Sequence, residues 1–502
     1  MQDLGDTNRI PVIIGVGEIC DRPDNPVEGF DSIELMKLSL IEAERDAGIS
    51  LLDRFDWLGV EDQISFPTPN PQDELAARLP RRPRTLVRTA EASGDGPLQL
   101  INDVANLIGE GKIRLAAAAG GEALRTAAKR AQADIAAGLE PPRNDIAAVA
   151  MANARPLARK HRLFTPIDVY PLYENATRAA WGQSVTEAQR ESAQIWSEFS
   201  KVAASNPKAW MNRIVEPDAI AEPGPDNRML AFPYTKMMVA NSSVNMGAAV
   251  IVASLAFTRE NGIPDEKLVY VGRGAAAHEH EDFLMRHGYS SSPSLEATIT
   301  EALRRNGLSS GDIDLVELYS CFPCVPKMAR RVLGWPVDRP ASVYGGLTFG
   351  GGPIGNCMMH AAAQMVHRLR GEGGNGLIVA NGGYATHSHS MVLTRTPQHA
   401  GTFPQDYSAQ DIADARRGAV PELLEDYEGD GVIETFTMPY GRDGEPHHAT
   451  VIARNSDGAR FLAAVTRQDR NTLDFLTGEN VIGSSGKAVR KGEAVVWHRQ
   501  DG

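Results

Sequence analysis

Val12-Ile13-Ile14-Gly15-Val16-Gly17 and Val269-Tyr270-Val271-Gly272-Arg273-Gly274 share one pattern, a β-branched apolar run closing on glycines. Such a run reads as a strand buried on both faces. The segments downstream of the two copies are also alike. Glu42-Ala43 is followed by Gly48 with Ile49-Ser50 behind it, and Glu301-Ala302 by Gly307 with Leu308-Ser309 behind it. Both stretches predict helices closed by a glycine just past the last turn, where a left-handed backbone costs least without a Cβ. Gly96-Pro97 and Gly352-Pro353 then predict two further helix starts, because proline in a first turn sacrifices no intrahelical hydrogen bond. Each leads to an apolar strand ending in paired glycines, Leu115–Gly121 and Leu377–Gly383. Matching order and spacing at four landmarks point to an internal duplication of an α/β unit, with sheets covered by helices.

Between the halves, residues 125–227 predict a helix-rich insertion, in which Thr186–Ala204 is amphipathic and Glu222-Pro223-Gly224-Pro225 marks the end. After about Thr402 the texture changes. The acidic segment Pro421–Asp426 precedes short alternating runs, Val432–Thr437, Thr450–Ala453 and Arg460–Val465, separated by Asp443-Gly444 and Asp457-Gly458 turns. Short strands with Asp-Gly turns predict a small β-barrel of the OB type. The expected organisation is a first half over residues 1–265 including the insertion, a second half over 266–400, and an added β-rich domain over 401–502.

With 502 residues, 23% charged and 42% hydrophobic, the chain has the composition of an ordinary globular protein large enough for several cores. A net charge of −13 excludes the basic face that nucleic-acid binding requires. The apolar stretch near Ala248–Phe257 falls far short of the ~20 residues of a membrane span. Met1–Asp6 shows no signal-peptide pattern, and four cysteines (Cys20, Cys321, Cys324, Cys357) are too few for a disulfide framework. The expected location is therefore the reducing cytoplasm.

The duplicated halves, the helical insertion and the Gly-Pro and Gly-Gly landmarks together resemble the thiolase superfamily over about residues 8–398. Sterol-carrier-protein-X-type thiolases and thiolase-like proteins of type one, with an extra C-terminal domain, are the members most like it. The resemblance implies a layered α/β/α/β/α fold, CoA-linked acyl (lipid) metabolism, acyl-CoA as ligand or substrate without a covalently bound cofactor, and a homodimer formed through the core. Asn241-Ser242-Ser243-Val244-Asn245-Met246-Gly247 is similar to the family segment that faces the CoA pantetheine. That similarity implies roles for Asn241 and Ser243 in binding.

The family's catalytic motifs are altered. Thiolases use a cysteine at a helix start, where the helix end stabilises an anion by up to about 2 kcal/mol, enough to bring a thiol's pKa from about 8.5 toward about 7. The matching turn here is Ser93-Gly94-Asp95-Gly96-Pro97. A serine hydroxyl starts much further from ionisation and needs an adjacent base; without one, Ser93 reads as a helix-approach residue that caps a backbone N–H. Tyr319, in Glu317-Leu318-Tyr319-Ser320, stands where the family's Asn/His-Glu-Ala-Phe motif aims a side chain at the thioester oxygen. Steroid side-chain aldolases of the same fold also carry tyrosine there. A phenol can donate to a developing oxyanion, or carry a proton if its pKa is lowered.

Gly352 occupies the place of the family histidine, and Ala380-Asn381-Gly382 that of the Cys-x-Gly motif. Gly351, Gly352 and Asn381 then remain as binding candidates, the glycines as backbone donors to a thioester oxygen at a helix N-terminus. Gly350–Gly355 fits G-x-G-x-x-G, but no acidic ribose partner stands at the expected distance beyond it. Cys321 and Cys324 read as free buried thiols, and no metal motif is evident. His387, in Thr386-His387-Ser388-His389, is the candidate for a replacement base. Three functions fit: a CoA-thioester-binding protein with altered chemistry, a retro-aldol lyase using Tyr319, and a non-catalytic acyl-CoA scaffold.

Overall fold

The computed structural model describes residues 3–140 and 154–499. The first half runs β1 (Pro11–Cys20), α1 (Ser32–Ala47), β2 (Trp57–Val60), α2 (Pro71–Ala77), β3 (Thr85–Arg88), α3 (Gly96–Gly109) and β4 (Leu115–Ala123). The insertion comes next with α4 (Leu124–Ala136), α5 (Pro156–Lys160), α6 (Pro166–Ala180), α7 (Val185–Ser205), α8 (Pro217–Ala221) and the hairpin β5 (Met229–Ala231) and β6 (Tyr234–Thr235). The chain returns to the core as β7 (Asn245–Ser254) and α9 (Leu255–Glu260). The second half is β8 (Val269–His278), α10 (Pro293–Arg305), β9 (Leu315–Leu318), α11 (Cys324–Leu333), α12 (Cys357–Glu372), β10 (Asn375–Gly382) and β11 (His387–Thr394).

Strand order across both halves is β3-β2-β4-β7-β1-β8-β11-β10-β9. The order mirrors itself about the joint between β1 and β8, where Val12 pairs with Tyr270 and Ile13 with Val269. The missing tenth strand is replaced by an irregular segment, with the Leu318 N–H donating to the Ala341 carbonyl at 3.0 Å. Helices α3 and α12 pack on each other and on strands of both halves. On the outer faces, α1 covers β1, β4 and β7, and α10 covers β8 and β11. These are the five α/β/α/β/α layers. Strands in such a stack are buried on both faces, as β7 is over all ten of its residues. The repeated glycines have a steric cause: a Cβ at Gly17 would strike the Ser39 carbonyl of α1. Gly48 and Gly307 close α1 and α10 at φ +82° and +66°.

One helix start differs from expectation. Pro353 does not open α12, which begins at Cys357. Gly355 has φ +77°, outside any right-handed helix, so the helix can form only after it.

The C-terminal region adds α13 (Gln410–Arg416), β12 (Leu423–Leu424), β13 (Gly429–Thr437), β14 (His448–Arg454), β15 (Arg460–Thr466), α14 (Arg470–Leu476), β16 (Ser485–Lys491) and β17 (Ala494–Arg499). Strands β13 to β17 take the order β15-β14-β13-β16-β17, and β17 closes back on β15 in parallel at Ala464 and Val496. A closed five-stranded barrel with a helix between its third and fourth strands is OB-like topology. Phe436, Val451, Phe461 and Trp497 fill it.

Candidate active site

The turn that opens α3 is held from below by Glu61, at the end of β2. The Ser93 N–H donates to Glu61 Oε1 at 2.9 Å. Burial pushes the Glu61 carboxyl well above the usual carboxylate range, and its Oε2 has no hydrogen-bond partner. Glu61 lies against Gly96 and Gly355, at the approaches to both central helices. Gly94 is squeezed between the Tyr319 hydroxyl and the Asn381 carbonyl; a Cβ there would come within 2.5 Å of the hydroxyl.

Asn241, Gly351 and Gly352 form one stitched ledge. The Gly352 N–H donates to the Asn241 carbonyl at 2.9 Å, the Asn241 N–H to Leu347 O at 3.0 Å, and the Trp210 N–H to Gly350 O at 2.8 Å. Ser243 sits exposed at the rim, its N–H donating to Asn241 Oδ1 at 3.2 Å. The Gly352 amide is thus already engaged, and α12 starts five residues beyond it. Gly352 therefore shapes the ledge but is no free donor for a thioester oxygen. Asn381 is buried, and its Nδ2 donates to the Tyr170 hydroxyl at 3.0 Å, which turns the side chain into the protein.

Tyr319 directly follows β9, its N–H donating to the Val379 carbonyl at 3.0 Å. Its hydroxyl lies close enough to the thiol of Cys357 for each group to bear on the other's ionisation. Burial raises the phenol well above its ordinary pKa, so Tyr319 stays protonated and acts as a donor. Cys357 was not singled out in the sequence, yet it is the first residue of a central helix. A helix end favours a thiolate by up to about 2 kcal/mol. Burial works the other way and is larger: the thiol is 1% exposed and pushed up to about 12, a rise from 9.0 worth about 4 kcal/mol. Desolvation wins, and Cys357 remains a thiol.

His387 starts β11 directly opposite His278 at the end of β8, with ring centroids 4.7 Å apart. Its Nδ1 lies 3.5 Å from Ser93 Oγ and 3.6 Å from Asp95 Oδ1, and its Nε2 lies 2.9 Å from Glu281. Burial opposes charging the ring, but Asp95 and Glu281 outweigh it and raise His387 to about 9. Asp95 in turn is held at about 2, its burial overcome by His387 and Ser93. Ser93 donates its hydroxyl proton to Asp95. At neutral pH the serine thus faces an imidazolium and a weakly basic carboxylate. His387 is an acid here and not the expected base, because two carboxylates flank it. His389 is the opposite case: buried against Asn102, it is lowered to about 4 and stays neutral.

The structure therefore gathers Ser93, Tyr319 and His387 around one turn, with Asn241, Ser243, Gly351 and Gly352 on a separate ledge. Sequence reasoning missed Glu61, Asp95, Glu281 and Cys357. Asp95 lay inside the quoted motif, but Glu61 carried no signal beyond ending an apolar strand.

A monomeric SCP2-thiolase-like protein type 1 from Mycobacterium smegmatis has 28% identity to this chain, covering 98% of it and 99% of the neighbour, with a TM-score of 0.83. Residues 413–493 match the family described as the thiolase-like protein type 1 additional C-terminal domain. The chain belongs to the thiolase superfamily, with that additional domain. Human mitochondrial 3-ketoacyl-CoA thiolase, solved in complex with CoA, shares the thiolase fold at a TM-score of 0.58 and 16% identity, over 78% of this chain and 99% of its own. Sterol carrier protein 2 of Rattus norvegicus is 24% identical over 165 residues, 28% of this thiolase-like chain. The match spans 30% of that relative's length. Among the described residues no helix is long and apolar enough to cross a membrane.

Proposed function

We propose that this thiolase-like protein binds CoA thioesters along the ledge of Asn241, Ser243, Gly351 and Gly352, and that it performs no cysteine-based acyl transfer. One observation carries the reading. Ser93 stands at the turn where the family keeps its nucleophile, and the two thiols near Tyr319, Cys357 and Cys321, are kept protonated by burial. Gly352 and Ala380, in place of the family's histidine and second cysteine, agree with it. The fold shared with a thiolase solved with CoA supports the ligand class. Calorimetric titration with acyl-CoAs of graded chain length should give saturable heats; their absence across the whole series overturns the reading.

A second reading is favoured by Tyr319, whose hydroxyl abuts the Ser93–Asp95 turn. In a retro-aldol cleavage of a 3-hydroxyacyl-CoA, the β-hydroxyl gives up its proton, the Cα–Cβ bond breaks, the hydroxyl-bearing carbon leaves as an aldehyde or ketone, and a proton is delivered to Cα, so that the reaction is proton-neutral overall. A protonated phenol suits stabilisation of the enolate-like thioester oxygen. Mass spectrometry of a 3-hydroxyacyl-CoA panel tests it: a shortened acyl-CoA with its carbonyl co-product supports the lyase, and unchanged substrates support a scaffold that only binds.

A further inference from the structure

We propose that His278, Glu281 and His387 form a binding site for one divalent transition-metal cation of the zinc type, at the solvent edge of the Ser93 turn. The inference goes beyond the CoA-thioester reading and does not rest on it. His278 and His387 are directly opposed on neighbouring antiparallel strands. Directly opposed residues project from the same face of a sheet as close neighbours. Three residues past His278 the chain has turned back, so that the Glu281 carboxylate reaches His387 Nε2 at 2.9 and 3.0 Å. One ligating atom from each of the three residues lies within 4.8 Å of the others. A tetrahedral ion with bonds of about 2.0–2.2 Å sets its ligand atoms roughly 3.3 Å apart. The remaining closure falls to His278 and Glu281, which are exposed and free to rotate onto an ion.

The other side of the His387 ring strengthens the assignment. Nδ1 faces Asp95 Oδ1 at 3.6 Å, which leaves Nε2 pointing to the cluster. A carboxylate behind a ligating imidazole fixes the ring and raises its basicity as a ligand. Asp95 is itself fixed by Ser93. The ion would displace the proton from His387 Nε2, and two imidazoles and one carboxylate then leave one coordination position for water or an oxygen-bearing ligand. The set comes from two strands and a loop, so no contiguous metal motif marks it in the sequence.

Metal-stripped full-length protein, titrated with Zn²⁺ alone, should take up one equivalent. His278→Ala and Glu281→Gln should each weaken that binding at least tenfold, and the double variant should abolish it. Both side chains are exposed, so circular dichroism and Tm should stay at wild-type values. Co²⁺ loading should give the visible absorption of a low-coordinate nitrogen/oxygen site without a thiolate charge-transfer band. Substoichiometric uptake, affinity unchanged in both single variants, or a thiolate band would each overturn the site. Acyl-CoA titration of the metal-stripped protein should still saturate, so failure of the ligand reading would be seen separately.

Discussion

At Tyr319 and Cys357, chemistry is decided by how little room there is. The phenol lies against Gly94 with the thiol near it, and burial keeps both protonated. If the protein is a lyase, Tyr319→Phe should lower kcat by about 100-fold or more, the usual range for loss of a positioned proton-handling group. Acyl-CoA affinity, measured by calorimetry, should change less than threefold. Gly94→Ala is a steric test of the same spot. Its Cβ would arrive 2.5 Å from the Tyr319 hydroxyl and closer to the Asn381 carbonyl. A destabilisation of about 1–3 kcal/mol, typical of overpacking, should appear as a lower Tm. Tyr319 and Ser93 were legible as candidates because each lies in a motif. Their proton states were not, since burial and neighbouring charges belong to the folded chain.

At the scale of elements, two strands hold carboxylates where water does not reach. Glu122 on β4 accepts from the Ile64 and Ser65 amides, and Glu317 on β9 from Ser342 Oγ and the Val343 amide. Burial raises each to about 7 from an ordinary 4.5. A carboxyl whose folded-state pKa is raised stabilises the fold fully below its unfolded value, and this contribution is lost as pH rises through 7. The contribution of these two carboxyls should therefore fall between about pH 4.5 and pH 7, by roughly 3 kcal/mol per group, while buried His389, lowered to about 4, acts in the opposite sense across the same range. Glu317→Gln keeps an acceptor for Ser342 and should flatten its share of the slope in denaturation measured across this range. The strands and helix caps were readable from periodicity and glycine placement. The start of α12 was not, because Gly352-Pro353 imitates a helix opening and only the left-handed Gly355 postpones it.

At the scale of the whole molecule, the barrel is fastened to the thiolase core by buried polar groups. Thr435 Oγ1 donates to the Leu172 carbonyl at 2.5 Å and Asn175 Nδ2 to the Phe436 carbonyl at 3.0 Å, joining β13 to α6. Arg460, fully buried, pairs with Glu434 and donates to the Leu284 and Arg286 carbonyls at 2.7 Å each. Arg460→Met should destabilise by about 3 kcal/mol, since two buried carbonyls lose their charged donor and Glu434 keeps only Arg454. Thermal unfolding would show it as a lowered Tm. Removing residues 419–502 should strip these partners from α6 and the second half together and leave a chain that aggregates, as light scattering would reveal.

The duplication, the helical insertion and the β-rich tail were determined by the sequence alone, because apolar periodicity, glycine caps and turn residues are local and survive being read one segment at a time. Tertiary structure alone decided that Glu61, the Ser93–Asp95 turn, Glu281 and His387 would meet: they arrive from different strands and loops across the joint between the halves. It also decided their charges, because desolvation and carboxylate neighbours act only once the chain has folded around them.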